Sequence, residues 1–205
     1  MSFKGLAVLV AACGVANADE DEFSSYENSS GTDVSGLDLT VELVDGGTYV
    51  DFNFENESSI SAVVTAIYFE NTSFWSSSLT AGSIVEESAN VDFESGATPH
   101  SPAQPGMDFG GHWTGTAYAA DAESPGPHNG IKASVGDELT IRFQLSGGAT
   151  FQDIVDGLTG DEPEARIAMH IQGVGAGSES VWGITVPTPA AAFGMVGLLA
   201  ARRRR

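Results

Sequence analysis

Short runs in which apolar and polar residues alternate constrain this chain more than any other feature. Leu37-Asp38-Leu39-Thr40-Val41-Glu42-Leu43 alternates strictly. Neighbouring side chains on a strand point to opposite faces, so this run has one apolar face and one wet face. Asp45-Gly46-Gly47 follows and supplies the residues a tight hairpin needs. Val50-Asp51-Phe52-Asn53-Phe54 alternates again and is expected to pair antiparallel with the first run. Asn56-Glu57-Ser58-Ser59 turns the chain, and residues 60–69 are apolar almost throughout, as a more central strand is. Val91-Asp92-Phe93 reads as a short strand, and the run at 138–145 puts Leu139, Ile141, Phe143 and Leu145 on one face. Residues 166–172 and 180–184 are the closing strands. Ahead of them, after the run at 138–145, Phe151, Ile154, Val155 and Leu158 fall at helical spacing, with Thr150 as N-cap. The pattern predicts a mainly β protein: an antiparallel β-sandwich with one short helix, or alternatively a jelly-roll or barrel closure.

This core works without covalent help. The N-terminus has the make-up of a secretory leader: Lys4, an apolar stretch over 5–16, and the small-x-small site Ala16-Asn17-Ala18 ahead of Asp19-Glu20-Asp21-Glu22. Cleavage by signal peptidase is expected after Ala18. Val10-Ala11-Ala12-Cys13 also fits a lipoprotein box with Cys13 acylated, although the apolar run continues past it. Cleavage after Ala18 removes the only cysteine and with it disulfides, thiol nucleophiles and Cys-ligated metals. Residues 19–186 number 168. A domain of that size buries about 68–70% of its unfolded surface. The expected organisation is a leader at 1–18, an acidic Ser-rich segment at 19–36, an ectodomain at 37–185 and a C-terminal signal at 186–205.

The charge is one-sided. All 28 acids lie between residues 19 and 186, where only Lys132, Arg142 and Arg166 oppose them, a net of −25. Nucleic-acid binding needs a basic face and is excluded. Such a surface suits salty surroundings, where counterions screen its self-repulsion.

The C-terminus reads Val186-Pro187-Thr188-Pro189, an apolar stretch over 190–201, then Arg202, Arg203, Arg204 and Arg205. Twelve helical residues span about 18 Å, against a bilayer core of about 30 Å. The stretch fits transient retention in the inner membrane during processing, with a poorly matched permanent anchor as the alternative. The arginines mark the cytoplasmic side.

This tail resembles a PEP-CTERM sorting signal, the bacterial type handled by exosortases. The usual motif is Pro-Glu-Pro, and here Thr188 stands where the Glu would be. The body is loosely similar to ectodomains found ahead of such tails, in Ala122-Glu123-Ser124-Pro125-Gly126-Pro127, Thr150-Phe151-Gln152-Asp153, Arg166-Ile167, His170-Ile171-Gln172-Gly173 and Ser178-Glu179-Ser180. The resemblance implies export to the cell surface or beyond, an exosortase-type processing enzyme as partner, and extracellular polysaccharide or biofilm as the setting. It implies no activity and no functional residues.

Residues 94–137 break the strand pattern. They hold five prolines and three of the four histidines, His100, His112 and His128. Long loops in compact domains are often functional. Three readings stand: an ordered structural loop, a metal site from the histidines with Asp108 and Asp121, and a glycan surface at His112, Trp113 and Tyr118. No His-Glu-x-x-His pattern supports a metal. His170 alternates with apolar neighbours and reads as a sheet residue. Gly173-Val174-Gly175-Ala176-Gly177 follows a strand without the helix of a nucleotide site and reads as a turn. Asp153, Asp156, Asp161 and Glu162 offer oxygen ligands for calcium without the spacing of an EF-hand. Asn28, Asn56 and Asn71 begin Asn-x-Ser/Thr sequons that read as exposed turns. With 28 acids some pair always lies at a suitable separation, so carboxylate pairs carry no signal for glycoside hydrolysis.

Two classes of function remain. The first is a non-catalytic, cofactor-free sorted protein of the cell surface or matrix. The second is an extracellular carbohydrate-binding module or carbohydrate-active enzyme, which requires a groove lined by Trp113, Tyr118 or Trp75, with acids at its base.

Overall fold

A computed structural model describes residues 18–22, 25–27, 33–96, 115–133, 135–159, 164, 166–174 and 180–184. The chain is mainly β. Among the described residues twelve strands run in the order β1 (Ala18–Glu22), β2 (Ser25–Glu27), β3 (Leu39–Asp45), β4 (Tyr49–Asn56), β5 (Val63–Glu70), β6 (Leu79–Glu87), β7 (Phe93–Ser95), β8 (Thr116–Ala122), β9 (Ile131–Lys132), β10 (Glu138–Leu145), β11 (Ile167–Gln172) and β12 (Ser180–Ile184). One sheet has the order β1-β3-β4-β10-β6. The other has the order β2-β12-β11-β5-β8-β7, with β9 also on β5. Every pairing is antiparallel.

The expected hairpin forms between β3 and β4, with Leu39 opposite Asn56 and Asp45 opposite Val50. Gly47 takes φ +79°, a region closed to most side chains, and its N–H donates to the Asp45 carboxylate at 2.8 Å. Alternation does what it promised. Val50, Phe52 and Phe54 on β4 and Leu39, Val41 and Leu43 on β3 are fully buried. β5 lies between β11 and β8 and is buried on both faces. Val64, Ile67 and Phe69 enter the main core, while Ala66 and Tyr68 pack with Ala119 and Ala168 in a smaller cluster.

One hydrophobic cluster draws on both sheets. Phe52 and Phe143 of the first sheet meet Phe69 of the second edge-on, with ring centroids 5.3 and 4.8 Å from Phe69. Such pairs add about 0.5–1.5 kcal/mol beyond area burial.

The helix α3 (Phe151–Thr159) forms where it was expected and buries Ile154, Val155 and Leu158. Its start is a reciprocal cap. The Thr150 hydroxyl accepts from the Asp153 N–H, and the Asp153 carboxylate accepts from the Thr150 N–H and hydroxyl, both at 2.7 Å.

Several expectations are corrected. Two further short helices occur, α1 (Ser73–Ser78) and α2 (Gly126–Asn129), in place of a single helix in the fold. Each is too short to print a helical period. The stretch 94–137 is not a plain loop, since β8 runs through it and pairs along β5. The acidic segment 19–36 contributes to both sheets through β1 and β2.

The sequon at Asn56 marks no exposed turn. Asn56 is buried, its amide donates to the carbonyls of Ala62 and Ile131 at 3.2 and 3.0 Å, and its oxygen accepts from the Ser58 N–H. It ties the end of β4 to β5 and β9. Asn71, by contrast, is exposed.

Candidate functional site

Tyr118 is the member of the expected glycan surface that the structure describes, since His112 and Trp113 lie outside the described residues. It sits on β8 and is half-buried. Its ring packs edge-on against Phe143 at 5.3 Å and Phe69 at 6.0 Å. Its hydroxyl and that of Ser95 on β7 share a hydrogen bond of 2.5 Å. Burial pushes the phenol up from its ordinary pKa, partly opposed by the Ser95 bond.

Tyr118 forms one wall of a groove of about 340 Å³ where β6, the edge of the first sheet, faces β8. Its floor is Phe69, Trp75 and Phe143. Its rim carries Asn71, Ser76, Thr80 and Thr116. The Trp75 side chain is in place because Thr72 caps α1, accepting from the Trp75 N–H at 3.3 Å. Trp75 is only 2% exposed, and its indole N–H has no hydrogen-bond partner among the described residues. A buried donor left unmet costs about 1–3 kcal/mol.

The β6 wall is built on a bulge. Arg142 pairs with Ser83 and Gln144 with Thr80, so Ala81 and Gly82 together face the single residue Phe143. Bulges of this kind re-aim a strand and gather beside functional sites. Ala81 takes φ +53°, a left-handed conformation that costs a non-glycine residue about 1–2 kcal/mol. Gly82 lets the rings close in, since a Cβ there would lie 2.6 Å from Tyr118 and 2.7 Å from Phe143.

None of the described residues lining this groove carries a charge, so the acids expected at its base are not found among them. The contrast with the other concavities is sharp. One of about 510 Å³ on the first sheet is walled by Glu42, Asp51, Glu55, Glu86 and Glu138. Another of about 450 Å³ has Asp38, Glu55, Glu57 and Asp137. A third, of about 460 Å³, includes Glu164.

The three Lys and Arg residues within 19–186 are all committed. Arg142 donates twice to Asp51 at 2.6 Å and stacks 3.7 Å from the centre of the Tyr49 ring. Arg166 donates twice to Glu70 at 2.6 Å. Lys132 lies 3.5 Å from Asp137. At the end of β8, Glu123 is held above its ordinary pKa by a hydrogen bond with Glu94, then by the charges of Glu94 and Asp92.

The remaining expected positions scatter. His128 is exposed on α2, and His170 is buried in β11 with Nδ1 3.1 Å from the Thr65 hydroxyl. Among the described residues no three His, Cys, Asp or Glu side chains converge on a metal site. Asp153 is turned into the α3 cap, and Asp156 accepts from Gln152 at 2.9 Å. Cys13, Ala16, His100, Asp108, Asp161, Glu162, Pro187, Thr188, Pro189 and Arg202 to Arg205 lie outside the described residues. Among those described, no helix is long and apolar enough to cross a membrane.

The groove was half legible. Trp75 and Tyr118 stood out as exposable aromatics, whereas Phe69 and Phe143 read only as core. The bulge at Ala81 and Gly82 left no pattern to find. No family model, curated protein or solved structure matches the chain.

Proposed function

We propose that this is an exported, C-terminally sorted protein of the cell surface or extracellular matrix, without catalytic activity, whose body is a β-sandwich associated with extracellular polysaccharide. Leader and tail supply the address: signal peptidase acts after Ala18 and an exosortase-type enzyme acts near Pro187-Thr188-Pro189. A cut after Ala18 leaves Asp19 as the first residue and β1 otherwise whole. The contribution of both sheets to one large hydrophobic cluster supports a two-layer arrangement, which a sandwich and a jelly roll share.

The observation that carries the reading is the charge arrangement. Lys132, Arg142 and Arg166 are each spent on a carboxylate, so the acidic excess faces solvent uncompensated. That surface repels anionic lipid and nucleic acid and is at ease where counterions are plentiful.

The test is fractionation of the producing cells with intact-mass measurement of the native protein. A mature N-terminus at Asp19 in the surface or matrix fraction is expected. A cytoplasmic protein that keeps residues 1–18, or a diacylglyceryl group on Cys13, overturns the processing scheme.

A second reading, an extracellular carbohydrate-binding module, is favoured by the uncharged aromatic groove beside Tyr118.

A further inference from the structure

We infer that the groove between β6 and β8 is a binding site for a neutral sugar unit of an extracellular polysaccharide. The inference deepens the polysaccharide association proposed above and rests on it for its biological setting.

Four observations converge. The first is composition: in a chain with 28 acids, this concavity is lined by aromatic rings, hydroxyls and an amide, with no charge among its described residues. A pyranose has the complementary surface, apolar C–H faces that lie on rings and hydroxyls that exchange hydrogen bonds at the edge. A uronate or sulfated unit gains no cation here, because each ectodomain cation is already in an ion pair. The second is size. About 340 Å³ is at the lower end of small-ligand sites, roughly 300–1,000 Å³, which suits one sugar unit rather than an extended cleft.

The third is the ring of Trp75, which lies in the floor of the groove against Phe69 and Phe143 and is held there by the Thr72 cap. The fourth is the bulge. Ala81 is held in a left-handed conformation at the rim, and the same bulge sets Gly82 against Tyr118 and Phe143. Local strain kept where two aromatic walls meet is a recurrent feature of ligand sites. Phe69, Trp75 and Phe143 build the floor, Tyr118 offers its ring as a stacking face, and Thr80 and Thr116 stand at the rim.

The experiment is affinity electrophoresis of the purified full-length protein through gels containing dextran, galactomannan or soluble starch as neutral glycans, and alginate as the anionic one. Retardation by at least one neutral glycan is expected, with none by alginate. Thr80→Trp fills the groove from an exposed rim position. It is expected to weaken that retardation at least tenfold while leaving the thermal melt unchanged. Should Thr80→Trp fail to fold, Ala117→Trp fills the groove from the β8 side. Retardation by no neutral glycan overturns the inference. So does full binding by a folded Trp variant, or binding of alginate alone. The outcomes separate from those of the proposed function. A protein that is exported and sorted yet ignores all neutral glycans defeats the site and leaves the address standing. Binding through the groove by a protein that fractionation finds in the cytoplasm does the reverse.

Discussion

Arg166 and Glu70 face each other through two parallel hydrogen bonds of 2.6 Å, with the Glu70 side chain 2% exposed and that of Arg166 15%. The pair joins β5 to the chain entering β11, next to the backbone bond from the Glu70 N–H to the Arg166 carbonyl. Arg166→Met strands a carboxylate out of water. It is expected to destabilise the protein by about 3–5 kcal/mol, whereas Arg166→Met with Glu70→Leu recovers most of that loss. Urea denaturation of the three proteins checks this. A single mutant as stable as the double would show that the ion pair is immaterial.

Two exposed carboxylates are expected to pull stability in opposite directions with pH. Asp153 has its pKa lowered by the backbone bond from Thr150. Its contribution is present above the unfolded carboxylate value and is lost as pH falls through the folded value. Glu123 has its pKa raised, first by the hydrogen bond with Glu94. The folded state therefore holds that proton more tightly, and stability is lost as pH rises from the unfolded value through the raised one. Glu123→Gln should thus raise Tm at pH 7 and leave it unchanged near pH 3. Asp153→Asn should lower Tm at pH 7 and lower it by less near pH 3. Melts of both variants at the two pH values decide, and equal effects at both would refute the linkage.

An acidic excess of 25 over residues 19–186 repels itself when unscreened. Tm is expected to climb as monovalent salt goes from about 0.01 M to about 1 M, over which the Debye length shrinks from roughly 30 to 3 Å. Screening acts only weakly on the Lys132–Asp137 pair, whose Asp137 side chain is 3% exposed, so the general repulsion sets the direction. A flat melting curve across that range would mean the acids are already neutralised.

Ala81→Gly removes a left-handed strain of about 1–2 kcal/mol and adds about 0.5–1 kcal/mol of unfolded-state freedom. The net expectation is a gain of about 0.5–1 kcal/mol by chemical denaturation, with the bulge intact. A loss of stability would show that the Ala81 methyl contributes packing beyond its conformational cost.

What the sequence made legible follows from how each strand is wetted. β3, β4 and β10 each expose one face, so their alternation could be read directly. β8 is Thr116-Ala117-Tyr118-Ala119-Ala120-Asp121-Ala122, built on alanine, which has little β preference and gives no contrast between its faces. Its place comes from β5, whose large side chains leave room only for small neighbours at Ala119 and Ala120. β6 loses its phase twice, at the bulge of Ala81 and Gly82 and again at Val85, so no single alternation runs along it. Asn56 was legible as a turn former but not as a buried tie, because its carbonyl partners at Ala62 and Ile131 become neighbours only once β5 and β9 have paired.

The second sheet joins an early strand to the last one. β2 is among the earliest strands and β12 the last, yet Tyr26 lies opposite Gly183 and Glu27 opposite Trp182. An early segment must therefore wait, unpaired, until almost all the chain is available. Contacts so distant in sequence bring a large closure entropy, and topologies built on them fold slowly. Until β12 arrives, the apolar strand β11 presents a bare edge able to recruit other chains. The seven charges of Asp19, Glu20, Asp21, Glu22, Glu27, Asp33 and Asp38 precede or border these first strands, and they give the waiting chain mutual repulsion that delays aggregation.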